Sequence, residues 1–434
     1  MVGVPDVFIM VIQNAKDFFS RLGPGLITGA ADDDPSGIAT YSQAGSQFRF
    51  SLVWTLLLTT PLMIGIQMLS ARIGWVTGEG LAANINKQFP RWLTKSLVGL
   101  LVLANTINIA ADIGAMGEAL RLLVGGPLAL YVLGFGLLCI ATQVGFSYER
   151  SVRILKWLTL ALFSYVAVVL TVHVPWRQVI SESLHPWQFS HNNASVKEYA
   201  AMVVAVLGTT ISPYLFFWQA AQEVEDSNRR PNSKALKSQP EYAAENLWRI
   251  KADTYIGMSF SNVVALCLVI ATAVTLNAQG ITNIQTSSQA AEALRPVAGE
   301  FAFLIFALGI IGTGLLAVPV LAGSAAYAVS ELYGWNASLS HSFSKARGFY
   351  LIIIAATGIG TLMGYLEVDP IKALVWSAIV NGVISVPIMA AMMLVGQSEK
   401  LMGQYTISAR HRFFGWSATL VMTVAVLVMF ATSF

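Results

Sequence analysis

Gly29-Ala30-Ala31-Asp32-Asp33-Asp34-Pro35-Ser36-Gly37-Ile38 sets three carboxylates, a proline and a Ser-Gly pair inside an apolar run near 22–48. Gly208-Thr209-Thr210-Ile211-Ser212-Pro213-Tyr214-Leu215 sets a second proline, flanked by small polar residues, in the middle of another apolar run near 198–222. Proline removes a backbone donor and disrupts the helical ladder. In a bilayer, the freed backbone groups are tolerated only where they line a protein cavity. Each carboxylate at membrane depth costs at least ~2.5 kcal/mol unless paired or wetted. No Lys or Arg is expected near the middle of any span, so an ion or protons must compensate these charges. The two breaks fall in the first and sixth of the apolar runs, five apart. Breaks at corresponding positions of two halves mark inverted-repeat transporters, with the substrate at the midplane between them.

Working outward, the rest of the chain fits that reading. Of 434 residues, 55% are hydrophobic and 11% charged, against roughly 25% charged in a soluble domain. A water-exposed protein this apolar would carry large exposed patches. Eleven apolar segments are long enough to cross a bilayer, near 22–48, 51–71, 96–120, 127–146, 154–173, 198–222, 254–278, 301–331, 349–366, 370–396 and 414–433. The eighth is long and interrupted by Gly312, Gly314, Pro319 and Gly323. With the amino terminus inside, 20 of the 26 Lys and Arg fall on the cytoplasmic side. Only Arg49, Arg121, Arg177, Lys197, Arg295 and Lys372 fall outside. This bias supports an odd number of spans, with the carboxyl terminus external.

The first twenty residues read as a short cytoplasmic tail rather than a cleaved leader. A single transmembrane transporter unit is expected, with halves about 22–173 and 198–396 and an extra helix about 414–433. The two longest hydrophilic stretches are too short for a second domain. That near 174–197 carries Pro175, Trp176, Pro186 and Trp187 and suits an interfacial cap. Asn193-Ala194-Ser195 matches the glycosylation tripeptide, a motif short enough to occur by chance. The one near 223–251 is charge-rich and reads as a cytoplasmic loop. Cys139 and Cys267 sit inside apolar runs and read as small buried hydrophobes.

Carboxylate, carbonyl, hydroxyl and water oxygens favour hard cations such as Mg²⁺, Ca²⁺ or Mn²⁺. No Met, Cys or His lies at either break. Asp34 is the leading ligand, facing freed carbonyls near Thr209. Mg²⁺ keeps several waters while touching one or two carboxylates, and Ser36, Gly37 and Ser212 leave room for them. On a helix, Asp32 and Asp33 point about 100° apart, so at most one joins Asp34; either could instead line an inner vestibule. Ser212 suits a bond to a metal-bound water or a back-bond to its own helix. Asn381, a buried amide in the tenth span, suits a metal-bound water or an interhelical contact.

Asp112 marks either a polar pathway or an interhelical hydrogen bond. Glu223, Glu225 and Asp226 form either a solvated helix end or an inner ion vestibule. Gln67 reads as structural, and Tyr214, Phe216, Phe217 and Trp218 as packing. His173, His185, His191, His341 and His411 all fall in loops or span ends, which argues against a histidine metal site.

These residues resemble the NRAMP family of divalent-metal transporters. Ile66-Gln67-Met68-Leu69-Ser70-Ala71-Arg72-Ile73-Gly74-Trp75-Val76-Thr77-Gly78 is very like the stretch that closes its second helix. Gly23-Pro24-Gly25 and Ala111-Asp112-Ile113 are also similar. The resemblance covers most of the chain by helix order. It implies a LeuT-like fold of two inverted five-helix repeats plus an eleventh helix, with Thr209 at the position whose carbonyl binds metal. Asp34 and Pro35 match the family's Asp-Pro-Gly-Asn, but Gly37 replaces its Asn. Ser212 replaces the Met of its Met-Pro-His, and Tyr214 the His. Gln219 replaces a second His, and Ala115 an acidic residue of helix three. These His and acidic residues are linked to proton movement in ordinary members, and histidine is the side chain suited to it. The pattern is similar to the NRAMP-related magnesium transporters, a branch in which loss of the Met and Asn ligands widens the site.

The function expected is uptake of partly hydrated Mg²⁺, and also Mn²⁺, by alternating access, without proton coupling and across a cell membrane. Asp34, Thr209, Ser212, Gly37, Asp33, Asp32 and Asn381 form the expected metal site. Asp112, Tyr214, Gln219 and Glu223 form a possible polar path beside it. The partners expected are the divalent cation and the lipid bilayer; no cofactor and no nucleic acid is expected, and a monomer is compatible with this. Rivals are proton-coupled Mn²⁺/Fe²⁺ uptake and a symporter for organic solutes. Carboxylates beside the break would repel the acid group of an amino-acid substrate. Al³⁺ also fits a carboxylate-rich site. No nucleophile–base constellation points to an enzyme.

Overall fold

A computed structural model of the chain describes residues 24–145, 158–186, 195–229, 236, 243–365 and 369–433. The amino-terminal tail, Gly23, residues 154–157 of the fifth expected span, Trp187, His191 and Asn193 lie outside the described residues. So do eight of the cytoplasmic-side cations assigned from sequence: Lys16, Arg21, Arg150, Arg153, Lys156, Arg230, Lys234 and Lys237.

Among the described residues, all regular structure is helical. The first span is broken into α1 (Pro24–Asp32) and α2 (Pro35–Phe48). Then come α3 (Val53–Thr77), the short α4 (Leu81–Gln88), α5 (Arg91–Val124) and α6 (Leu128–Gly145). The fifth segment ends in α7 (Phe163–Thr171), and the chain then turns by 107° into α8 (Trp176–Leu184). Past the bend, Glu182 of α8 accepts from the Phe50 amide at 3.3 Å. The sixth span is broken into α9 (Val196–Thr210) and α10 (Pro213–Arg229). The remaining long helices are α11 (Ala243–Thr275), α12 (Ala302–Tyr333), α13 (Arg347–Met363), α14 (Pro370–Gly396) and α15 (Ala409–Ala431). Over its described residues, each of the eleven expected segments coincides with helix, the first and sixth broken. Among the described residues eight helical stretches, the broken α9–α10 pair counted as one, are long and apolar enough to cross a bilayer.

Two expectations are corrected. The eighth span is one continuous helix, with Pro319 inside it. Its glycines serve close approach instead of a break: a methyl group on Gly323 would lie 2.6 Å from the Trp218 ring. The seventh span begins near residue 243, about three turns earlier than the apolar run. The charge-rich stretch 223–251 is therefore largely helix at both ends, and Arg249 and Asp253 are helical residues.

Small residues let helices meet backbone to backbone where no water-driven force assembles them. A Cβ on Gly29 of α1 would lie 2.3 Å from the Gly257 carbonyl of α11. A Cβ on Gly208 of α9 would lie 2.2 Å from the Ala378 carbonyl of α14. Each broken span is thus pressed against an unbroken helix, which fixes where its break lies. From α3, the Gln67 side chain donates to the Leu215 carbonyl at 3.1 Å and Ser70 donates to that of Phe216. Gln67 is structural, as its sequence suggested.

Candidate metal site at the paired helix breaks

Asp34 does two jobs. It is the N-cap of α2, its Oδ1 accepting from the Gly37 amide at 2.7 Å. Asp is a favoured N-cap because the carboxylate satisfies an amide the helix cannot, and Pro35 fits the first helical turn. Its Oδ2 accepts from the Asn108 side-chain amide of α5 at 3.0 Å and from the Tyr214 hydroxyl of α10 at 3.4 Å. The Tyr214 hydroxyl also lies 3.1 Å from the Ala31 carbonyl, so its single proton is shared between acceptors on either side of the first break. Tyr214 is more than packing. Asp34 is 2% exposed, and no Lys or Arg among the described residues pairs with it. A carboxylate has about four acceptor positions, so both oxygens keep room for a cation or its water.

The second break faces the first. A Cβ on Gly37 would lie 3.2 Å from the Thr209 hydroxyl and 3.3 Å from the Asp32 carbonyl. A larger residue there would press on the α9 end. Ser212 donates to the carbonyls of Gly208 at 2.8 Å and Thr209 at 2.9 Å. Of its two expected roles, the back-bond is the one formed. The Thr209 carbonyl keeps its second lone pair.

The expectation for Asp32 and Asp33 is corrected. Both reach the same hydroxyl: Ser261 of α11 lies 2.6 Å from Asp32 Oδ2 and 3.1 Å from Asp33 Oδ1. The 100° argument fails because α1 ends at Asp32, so Asp33 follows a different backbone path. Among the described residues, no three His, Cys, Asp or Glu side chains are grouped closely enough to hold an ion. The three carboxylates therefore do not form one acidic cage. Asp34 is held by amide and hydroxyl donors, and Asp32 and Asp33 stand beside it against Ser261 of α11.

Several buried acceptors on α5 and α14 lack a donor. Asn108 Oδ1, Asn381 Oδ1 and both oxygens of Asp112 make no hydrogen bond of ordinary geometry. Asp112 lies within electrostatic reach of Asp34 and the Ser36 backbone amide. Buried acceptors left alone are uncommon.

Gln219 and Glu223 belong to a second polar cluster. Thr28 of α1 donates to Gln219 Oε1 at 2.5 Å, and Gln219 donates to Glu223 Oε1 at 3.0 Å. Arg249 of α11 donates to Glu223 Oε2 at 2.6 Å, sits 3.5 Å from Asp226 and stacks over the Trp75 ring at 4.6 Å. Asp253 accepts from the Gly25 amide at 2.6 Å. Glu223 is fully buried, so the solvated-end reading is corrected. This cluster links α1, α10 and α11, and so joins one half of each broken span to an unbroken helix.

Sequence reading missed Asn108, Ser261 and Arg249. Asn108 and Asp112 are spaced i, i+4 and share a helix face, a signal that was available. Ser261 carried none.

A family profile described as natural resistance-associated macrophage protein-like matches residues 25–432. Among characterised relatives, the divalent metal cation transporter MntH of Caldanaerobacter subterraneus subsp. tengcongensis is 24% identical over 96% of this chain and 94% of its own length. That of Yersinia pestis is 28% identical over 69% of this chain and 70% of its own length. In shape, the manganese transporter of Eremococcus coleocola superposes with a TM-score of 0.74 at 19% identity, covering 95% of this chain and 86% of that one. Mhp1, a nucleobase-cation-symport-1 family transporter, superposes with a TM-score of 0.58 at 14% identity, over 95% and 93%. The fold is that of the LeuT-like transporters.

Proposed function

This chain belongs to the Nramp family, and from that premise we propose that it moves divalent metal cations through a cell membrane by alternating access. The same reading makes partly hydrated Mg²⁺ the preferred cargo, with Mn²⁺ also carried, and protons uncoupled from it. The observation that carries it is Asp34: a buried carboxylate at two facing helix breaks, held by amide and hydroxyl groups and lacking any cationic partner among the described residues. The names of the relatives, divalent metal cation transporter and manganese transporter, support the cargo class. Oxygen donors alone favour a hard ion. Asn108 Oδ1, Asn381 Oδ1 and Asp112 are buried acceptors without an ordinary donor, which supports a reading in which metal-bound waters donate to them. Mg²⁺ keeps such waters, and holding them costs less than stripping them. With Tyr214 and Gln219 where a histidine would titrate near neutral pH, this site lacks that proton carrier.

The chain works as one transport unit with repeat halves about 22–173 and 198–396, its amino terminus cytoplasmic. Opening the inner path requires the Thr28–Gln219–Glu223–Arg249 cluster to part. The test is Mg²⁺ uptake into proteoliposomes of the purified protein, with an interior pH dye and Mn²⁺ and Ca²⁺ in parallel. Mg²⁺ uptake without acidification is the expected result. Mn²⁺ uptake with acidification and no Mg²⁺ uptake would make this an ordinary proton-coupled transporter. Cation uptake that organic solutes compete away would move it to the symporter class.

A further inference from the structure

A groove of about 850 Å³ runs between α3, α11 and α15, away from the helix breaks. Its charged residues gather at one end. Arg72 closes α3, Lys251 lies near the start of α11 and Arg410 lies near the start of α15. The three helices bring these cations to the same level, since α3 arrives where α11 and α15 depart. His411 stands among them, within electrostatic reach of Arg72 and Lys251. Among the described residues no carboxylate lines the groove, and none of these three cations has an ion pair. Arg72 spends two donors on the Tyr405 and Thr406 carbonyls at 3.0 and 3.2 Å, which fixes its guanidinium at the rim. Charged groups gathered without counter-charge are costly together, and an anion relieves them.

Away from that end, the walls turn apolar. Pro61, Ile64 and Gly65 of α3 face Tyr255 of α11 and Phe414 of α15. From Arg72 back to Thr60 is a rise of about 18 Å along the helix. At the far end, Asn262 of α11 ties α3 by donating to the Leu56 carbonyl at 2.8 Å and to the Thr60 hydroxyl. Trp248 and Tyr255, at the groove's edge, are 63% and 46% exposed. Aromatic residues of that kind settle at the level of lipid headgroups.

We infer that this groove is a binding site for an anionic phospholipid, its phosphate held by Lys251, Arg410 and Arg72 and an acyl chain lying along Ile64 and Phe414. Basic pockets between helices on the cytoplasmic side take anionic headgroups, and the charge bias of the chain puts this end on that side. A soluble phosphate ester shares the headgroup chemistry but has nothing to fill the apolar length.

The test uses the full-length protein in detergent micelles and measures co-purifying lipid by native mass spectrometry after exposure to phosphatidylglycerol or phosphatidylcholine. Phosphatidylglycerol is expected to be retained preferentially, and Lys251→Gln with Arg410→Gln to lower its retention at least about tenfold. A control with the same loss of charge elsewhere, Lys95→Gln with Arg412→Gln, is expected to retain it. Equal retention of both lipids, no loss in the first pair, or the same loss in the control would overturn the site. Displacement of the lipid by millimolar glycerol phosphate would make it a soluble-phosphate site instead. Unfolding temperatures of both variant pairs, measured alongside, exclude loss of the fold as the cause.

Discussion

The Asn108 side chain donates to Asp34 Oδ2 at 3.0 Å, across from the Gly37 amide that holds Oδ1 at 2.7 Å. The carboxylate is therefore fixed in orientation from two helices before any ion arrives. Partners that orient a ligand typically contribute 10–100-fold in metal affinity. Asn108→Leu should raise the KM for Mg²⁺ uptake by about tenfold or more, while Asp34→Ala should abolish uptake. Radiotracer or fluorescent-dye flux in proteoliposomes checks both. An Asn108→Leu protein with an unaltered KM would reduce Asn108 to a packing residue.

Selectivity is expected to lie in Gly37 and Ser212. Ser212→Met removes the hydroxyl now bonded to the Thr209 carbonyl and supplies a soft sulfur beside it. Gly37→Asn supplies an amide oxygen, and its Cβ fits if the Thr209 hydroxyl gives by a few tenths of an ångström. The double variant should shift preference from Mg²⁺ toward Mn²⁺, since softer donors favour transition metals. Competition of the two ions in one flux assay reads the shift. An unchanged ratio would place selectivity outside the two breaks.

The buried pair of Arg249 and Glu223 gives a stability prediction. Removing one partner strands the other charge and costs about 3–5 kcal/mol. Arg249→Ala should lower the unfolding temperature markedly, and adding Glu223→Gln should restore much of it. Intrinsic tryptophan fluorescence on heating in detergent follows both. Equal temperatures for wild type and Arg249→Ala would mean that water already screens the pair.

The breaks were legible because Pro35 and Pro213 interrupt apolar runs, and proline acts through its own backbone. Asp34 was legible because a carboxylate so placed must be compensated. What escaped depends on register between helices. Ser261 is an unremarkable serine until α11 docks on α1 and its hydroxyl meets two carboxylates. Arg249 read as a loop residue because the helix begins about three turns before its apolar run. The orientation of Asp32 and Asp33 was misjudged because the periodicity used applies only within a helix, and α1 ends there. The eighth span looked broken because glycine and proline mark both a break and a tight contact, and only its neighbour tells them apart.

Asp32 and Asp33 share one donor, and a hydroxyl has one proton to give. The unequal distances from Ser261, 2.6 and 3.1 Å, favour Asp32 as its acceptor. Asp33 then contributes mainly charge near Asp34 instead of a fixed ligand oxygen. Asp33→Asn should keep transport while raising KM a few-fold, the effect of losing about 1 kcal/mol of attraction for a divalent ion. The maximal rate should hold, because the ion still rests on Asp34. Asp32→Asn should behave similarly but lower thermal stability as well, since it loses the shorter bond. Flux measured over a range of Mg²⁺ concentrations separates KM from rate. A collapse of rate in Asp33→Asn, matching that of Asp34→Ala, would make Asp33 a direct ligand and the site a two-carboxylate one.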